Sequence, residues 1–177
     1  MSQTKVITGK VRFSYAHVFE PQAAEGSDKE KYSVSIIIPK EDKKTLDKID
    51  KAIKLALENG KAKFGGKIPK GLKMPLRDGD EEREDDEAYA GSMFLSANSN
   101  IKPGIVDENL DPIMDKDEFY SGCYGRASVN FFAFNVGGNK GIACGLNNLQ
   151  KLEDGERLGG SISSAQDDFG STDDDLL

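Results

Sequence analysis

A strict two-residue alternation between Gly122 and Phe134 is the feature that most constrains the fold of this chain. One set of positions is apolar and suits a core: Cys123, Ala127, Val129, Phe131 and Ala133. The positions between them carry rings, a cation and polar groups: Tyr124, Arg126, Ser128, Asn130, Phe132 and Phe134. Alternation with period two predicts a β-strand with two different faces. Residues 136–139 (VGGN) then predict a hairpin turn, because glycine tolerates positive φ, and a second strand follows from Lys140 to Leu152.

The rest of the chain predicts a small, mainly β domain. Apolar alternation and turn residues predict further strands at 6–19, 32–38, 91–96 and 105–106. Residues 42–59 carry an apolar stripe at helical spacing, and Asn59-Gly60 is a typical helix end. Five or six strands with one α-helix after the second strand fit a small OB-fold-like barrel. The glycine- and lysine-rich stretch 61–77 predicts a mobile basic loop.

Charge is distributed unevenly along the chain. The net charge is −7, yet residues 78–87 hold eight acids and one arginine, and residues 151–177 hold eight acids and two bases. The remainder is therefore mildly basic, as a phosphate-binding surface requires. The run at 78–87 predicts a solvated loop that cannot pack, because its like charges repel. We expect one domain at 1–158, followed by a disordered acidic tail at 159–177.

Stacking of bases on rings, combined with neutralisation of phosphates, is the chemistry that the outer face of the late hairpin indicates. Every base offers a π-face, so such binding is independent of sequence, and lysine and arginine bind the backbone in a salt-dependent manner. The candidate DNA-binding residues are Lys10, Arg12, Tyr124, Arg126, Asn130, Phe132, Phe134 and Lys140. For Phe132 and Phe134 a second interpretation stays open, in which both rings cover a second core beneath the helix.

Catalytic motifs are missing from the sequence. The chain has one histidine, His17, which falls on the Val11–Phe13–Tyr15 side of its strand and is expected to be partly buried. Cys123 and Cys144 form no CxxC pair, and the hairpin register places Cys144 opposite Phe131, which predicts two free, buried thiols. Neither a nucleophile motif nor a phosphate-binding glycine loop is present. We therefore expect no enzyme, catalytic residue, metal site or cofactor.

Two alternative functions stay open at this point. The aromatic face could bind another subunit, in an interaction or assembly module that forms an oligomer. For the protein as a whole, the sequence leaves open whether it is a monomer or a dimer. The acids at 78–87 could instead ligate the metal of a nuclease, although metal sites need a few acids fixed on rigid elements. Apolar stretches are only a few residues long, so we expect no transmembrane span and no secretory signal, and a cytoplasmic protein.

Four segments together resemble a known family. They are GKVRFSYAHVFEP at 9–21, YSVSIIIPK at 32–40, GCYGRASVNFFAFNVGGNKGIACGLNNLQKL at 122–152 and GERLGG at 155–160. On these segments the chain resembles the single-stranded DNA-binding proteins encoded by tailed bacteriophages. The hairpin segment, with its LNNLQ ending, is the most specific part of the resemblance.

The resemblance implies an OB-fold that binds single-stranded DNA during phage replication and recombination in the infected host cell. It also implies a C-terminal tail that recruits replication or recombination proteins and competes with DNA for the basic groove. Here the tail would act through Asp173, Asp174, Asp175, Leu176 and Leu177. Bacterial tails of this kind end in an aromatic residue, whereas this chain ends in two leucines. The resemblance assigns no role to the acids at 78–87.

Overall fold

The computed structural model describes residues 4–23 and 30–158, and in these ranges the chain forms a mainly β domain. The strands are β1 (Lys5–Ile7), β2 (Val11–Ala23), β3 (Glu30–Pro39), β4 (Leu76–Asp78), β5 (Ser92–Ser99), β6 (Gly104–Val106), β7 (Tyr124–Val136) and β8 (Asn139–Glu153). The α-helices are α1 (Lys43–Asn59) and α2 (Gly79–Glu82), and single 3-10 turns cover Lys61–Phe64 and Glu87–Tyr89. The predicted helix after the second long strand is confirmed.

Five of the strands close into a ring. Each is paired with the next in the order β2, β3, β5, β8 and β7, and β7 pairs back to β2. All of these pairs are antiparallel except β5 with β8, which run parallel through Ala97 and Cys144. This is the arrangement of an OB-fold barrel. The described sheet has eight strands instead of the expected five or six, because β1, β4 and β6, of three residues each, are added to its edges.

The first predicted strand, 6–19, is interrupted at Thr8–Lys10. On either side of the interruption, β1 and β2 both pair with β7. The Thr8 hydroxyl accepts a hydrogen bond from Ala127 N (3.0 Å), and Gly9 N donates to the Thr45 hydroxyl (2.9 Å). Side-chain oxygens therefore take the place of two backbone acceptors here, and threonine and serine side chains commonly compete with the backbone in this way.

A β-bulge reverses the faces of β2 in its second half. Ser14 pairs with Ser35 and His17 with Ser33, so that β2 contains one residue more than β3 between the two pairs. The prediction that Tyr15 and His17 lie on the inner side with Phe13 is therefore wrong. Tyr15 is exposed, and His17 is partly buried on the outer face. Its partial burial lowers the pKa of His17 below the usual 6.5.

The hairpin register is confirmed. Val136 faces Asn139 and Phe131 faces Cys144, as the glycine turn predicted. Both cysteines are buried and free. The inward residues of β7 join one core with the apolar stripe of α1, which includes Ile49 and Ala56. Gly60 ends α1 so close to β7 that a Cβ on it would lie 2.2 Å from the Cβ of Ala133. The helix therefore packs on the inner face of β7 and not on its outer one.

Most acids of the run 78–87 are exposed, as predicted, but the prediction that the run cannot pack is wrong at its start. Lys40 Nζ lies 2.9 Å from Asp78 Oδ1 and 2.8 Å from Asp80 Oδ2. Directly after the run, Tyr89 is fully buried and its hydroxyl donates to Ser35 Oγ (2.8 Å). Tyr89 also packs edge-on against Phe94, in a small second core with Ile37. Cations from other elements offset the repulsion, and Tyr89 anchors the segment.

The basic stretch 61–77 is held at three places, although it was predicted to be a mobile loop. Phe64 is buried in the main core. Lys73 forms a bridge with Gly141, through which Ile142 N donates to Lys73 O (2.9 Å). The stretch then ends in β4. No helix in the described ranges has the length and apolar character needed to cross a bilayer. The tail predicted at 159–177 lies outside the described residues.

Candidate nucleic-acid interface

The outer face of β7 carries the residues that the alternation placed there. Arg126 and Phe132 are exposed, and Tyr124, Asn130 and Phe134 are partly buried. Their neighbours on the other face, from Cys123 to Ala133, are buried in the core. The structure thus brings the predicted stacking and polar residues to one side of one strand, where a ligand can reach them.

Strand β8 widens this face with side chains that the sequence analysis did not select. Gln150 lies opposite Arg126, and Asn147 donates from Nδ2 to Ser128 Oγ (3.4 Å). The polar residues next to the two buried leucines of LNNLQ (146–150) were the signal for them. Near the other end, a Cβ on Gly145 would lie 3.4 Å from Cε1 of Phe132, so the ring lies across a glycine and keeps its outer side free. The face of β7 and β8 is therefore polar, with one open ring.

The hairpin end of this face is a basic groove. A cavity of about 400 Å³ is lined by Lys63, Phe132, Phe134 and neighbouring residues of β7. Lys63 Nζ donates to Ala133 O (3.1 Å), and Lys73 Nζ donates to Asn139 Oδ1 (3.3 Å). Lys140, predicted from the sequence, pairs with Asn135 at the same end. Lys63 and Lys73 were not predicted, because only the folding of 61–77 against the hairpin brings them here.

At the opposite end of β7, the predicted binding residues make more contacts within the protein. Lys10 Nζ lies 5.4 Å and Arg12 Cζ 5.2 Å from the centroid of the Tyr124 ring, both within cation–π distance. Lys10 also forms an ion pair with Glu153. Arg12 donates to two backbone carbonyl oxygens, Gly122 O (3.1 Å) and Glu156 O (2.8 Å). The predicted trio thus comes together, but its cations already have partners within the protein.

The candidate site is a stripe along the outer face of β7 that runs from Tyr124 at one end to Phe132 and the hairpin groove at the other. Tyr124 and Phe132 are eight residues apart in β7, which corresponds to about 26 Å along an extended strand. Arg126 lies between them and donates from Nε to Thr8 O (3.1 Å), while its side chain stays exposed. Asn130 accepts a hydrogen bond from the Thr4 hydroxyl (2.8 Å). An elongated surface of this kind suits an extended polymer better than a compact small molecule.

Comparison with known proteins identifies the family. The family model described as Enterobacter phage Enc34, ssDNA-binding protein, matches residues 4–177. The chain belongs to this family. It is also 30% identical, over 174 residues, to protein p50 of Acyrthosiphon pisum secondary endosymbiont phage 1, an alignment that covers 92% of this chain and 91% of that protein.

Solved structures of two phage proteins share the fold. The single-stranded DNA-binding protein from bacteriophage Enc34 in complex with ssDNA superposes with a TM-score of 0.78 at 24% identity, over 88% of this chain and 90% of that one. The single-stranded DNA-binding protein gp2.5 encoded by bacteriophage T7 superposes with a TM-score of 0.61 at 15% identity, over 90% and 91% of the two chains. The barrel is therefore the fold of this group of phage proteins.

Proposed function

We propose that this chain binds single-stranded DNA without sequence preference, in the replication and recombination of phage DNA in the host cytoplasm, and that it does so without catalysis. The outer face of β7 and β8 would be the binding surface. The observation that carries the proposal is the open ring of Phe132, 45% exposed on a face that also presents Arg126. Membership of the Enc34 family supports it, as does the described complex of the Enc34 protein with ssDNA.

Some residues of the stripe would contact bases, and others would contact phosphates. Phe132, with the partly buried Phe134 beside it, would stack bases, and each stacked base contributes about 1–3 kcal/mol. Asn130 and the amides of β8 would bind base edges or sugars. Arg126, Lys140, Lys63 and Lys73 would neutralise phosphates. At the far end, Tyr124 would stack a base only after Lys10 or Arg12 moves from its ring.

The salt dependence of binding tests this assignment. Fluorescence anisotropy with labelled oligo(dT) at several salt concentrations gives the slope of log K against log salt. Arg126→Ala should weaken binding and reduce the magnitude of the slope by about 0.7, the value for one phosphate contact on a single strand. Lys54→Ala is the matched control, because it removes one exposed charge from α1, where Lys54 pairs with Asp50. Equal slopes for wild type and Arg126→Ala would contradict the assignment.

The tail at 159–177 would compete with DNA and recruit partner proteins, chiefly through its terminal Asp173, Asp174, Asp175, Leu176 and Leu177. This segment carries five aspartates and no basic residue. The described chain ends at Leu158, whose N–H donates to Ser121 O (2.9 Å). Two residues earlier, the backbone carbonyl oxygen of Glu156 accepts a hydrogen bond from Arg12, which lies beside Tyr124. Deleting residues 160–177 should therefore strengthen oligo(dT) binding at low salt and have little effect at high salt, where charges are screened.

The two alternative functions make different predictions. A protein-interaction module would form oligomers that bury Phe132 and would not bind oligo(dT), which sedimentation and anisotropy separate. For a nuclease, the acids at 78–87 would have to converge on a metal. In the described part of the chain, no three His, Cys, Asp or Glu side chains are so arranged, and Asp78 and Asp80 are engaged by Lys40. Incubation of DNA with magnesium and the protein, followed by gel analysis, is the direct test.

A further inference from the structure

A second cleft lies on β2, apart from the stripe on β7. It has a volume of about 540 Å³, and its lining includes Tyr15, His17, Phe19 and Lys116. Ser121 and Leu158 also line it. None of these residues belongs to the surface proposed above. The cleft therefore combines two rings, an imidazole and a cation outside the stripe.

The backbone at Tyr15 is strained without an evident gain from packing. Its φ is 47°, in the left-handed region that side chains rarely adopt. Its side chain is nevertheless 57% exposed, so burial does not offset the strain. The surrounding structure holds the bulge in place, since Ala16 N donates to Ser121 Oγ (3.0 Å). Backbone strain that the fold imposes and that no gain in packing offsets is typical of functional sites.

The groups around the cleft fit a nucleotide. Lys102 Nζ lies 5.5 Å from the centroid of the Phe19 ring, and Lys116 lines the cleft itself. These cations can bind a phosphate while an exposed ring stacks a base. Glu20 and Asp86 also line the cleft, and the Asp86 carboxylate already accepts from Ala88 N (3.0 Å). Their acceptor oxygens suit the amino edge of a base, not a phosphate.

The course of β2 joins this cleft to the stripe. Arg12 pairs with Tyr124 at one end of the stripe, and Tyr15 follows three residues later, about 10 Å farther along an extended strand. A path from the stripe across the outer face of β3 and β5 is closed, because Ile37, Tyr89 and Phe94 form a buried cluster there. A strand of DNA that leaves the Tyr124 end can therefore continue along β2.

We propose that the cleft at the β2 bulge is a second subsite for the same DNA strand, in which Tyr15 stacks a base and Lys116 binds a phosphate. This inference rests on the proposed function. It predicts that DNA bound along β7 reaches Tyr15 when it is long enough, and that Tyr15 adds affinity beyond that of the stripe.

Affinity measurements on variants of Tyr15 test the subsite. Oligo(dT) of about 15 nucleotides lies near the upper end of the site sizes of OB-folds. Tyr15→Asn should weaken its binding by at least about fivefold, the loss of one stacked base. Asparagine tolerates left-handed φ, so the backbone is retained. Tyr15→Phe keeps the ring and should bind as the wild type does. Equal affinity of Tyr15→Asn and wild type would overturn the subsite.

A fluorescence experiment keeps the inference testable even if Tyr15→Asn unfolds. The chain contains no tryptophan, so Tyr15→Trp introduces a single probe at the cleft. Its emission should be quenched on addition of oligo(dT), because a stacked base contacts the indole. Unchanged emission under conditions where anisotropy shows binding would overturn the subsite and leave the proposed function intact. Absence of binding by the wild-type protein would instead overturn the proposed function.

Discussion

The two outer faces of the barrel differ in what lies on them. On β5, Phe94 points outward and is only 1% exposed, whereas on β7 Phe132 points outward and is 45% exposed. Segment 78–91, which includes the whole acidic run, covers the first face. Tyr89 packs against Phe94, and Arg83 Cζ lies 5.0 Å from the centroid of the Phe94 ring. The second face, on β7 and β8, has small and polar neighbours around its ring.

This difference shows that a ring on the outer face of a strand is not by itself available to bind a ligand. Both phenylalanines occupy the same kind of position in an alternating strand, and both have arginine or lysine nearby. The decisive factor is whether another segment of the chain seals the face. On β3 and β5 the seal is a second small core, which includes Ile37 and Tyr89. We therefore expect substitutions on the sealed face to change stability, and substitutions on the open face to change DNA affinity.

The largest effect should come from the anchor of the sealed face. Tyr89→Ala removes a fully buried ring and should lower the free energy of unfolding by about 3–5 kcal/mol, as for other large core aromatics. Tyr89→Phe is the control. It keeps the ring but deprives Ser35 Oγ of its hydrogen-bond donor, and should cost about 1 kcal/mol. Urea denaturation followed by circular dichroism measures both. A small loss for Tyr89→Ala would show that the seal does not stabilise the fold.

On the open face, a substitution should change DNA affinity more than it changes stability. Phe132→Ala should weaken oligo(dT) binding by about 1–3 kcal/mol, the contribution of one stacked base, and should leave stability nearly unchanged because the ring is half exposed. Met114→Ala removes an exposed apolar side chain outside the proposed surface and should change neither quantity. Anisotropy and urea denaturation on the same samples provide the two measurements. If Phe132→Ala destabilised the fold without changing affinity, the contrast between the faces would fail.

The smallest effect concerns the ionic contact that holds the start of the acidic segment. Hydrogen bonds from Lys40 lower the pKa values of Asp78 and Asp80 below the usual 3.8. Because Lys40 donates these hydrogen bonds to the carboxylates of Asp80 and Asp78, its own pKa is raised to about 12. Depressed carboxyl pKa values stabilise the fold above pH 3.8, and this contribution is lost as the pH falls through the folded values. The contribution of Lys40 is lost only as the pH rises through about 12.

Lys40→Met should therefore lower the melting temperature slightly at neutral pH, and its difference from wild type should shrink at about pH 3. Lys54→Met on α1 serves as the control for removing an exposed lysine. Thermal unfolding by circular dichroism at both pH values gives the four melting temperatures. A difference between Lys40→Met and wild type that persisted unchanged in acid would mean that Lys40 acts through packing and not through its carboxylate partners.

Local patterns determined the parts of this protein that depend on neighbours in the sequence. The alternation at 122–134, the glycine turn and the apolar stripe of α1 predicted the late hairpin, its register and the helix. They also placed Arg126 and Phe132 on the outer face of β7. These features follow from the period of a strand or helix and from the φ preference of glycine, which act over a few residues.

Only the tertiary structure decided which faces are open and which distant groups meet. The bulge at Tyr15 changes the parity of β2, and one extra residue there turned an expected core tyrosine outward. Lys63 lines the Phe132 groove and Lys73 reaches Asn139 at the hairpin turn, because their segment packs on the hairpin. Lys40 binds acids that composition alone assigned to solvent. Such contacts join residues dozens of positions apart, where the balance of packing and charge depends on the whole fold and not on any local pattern.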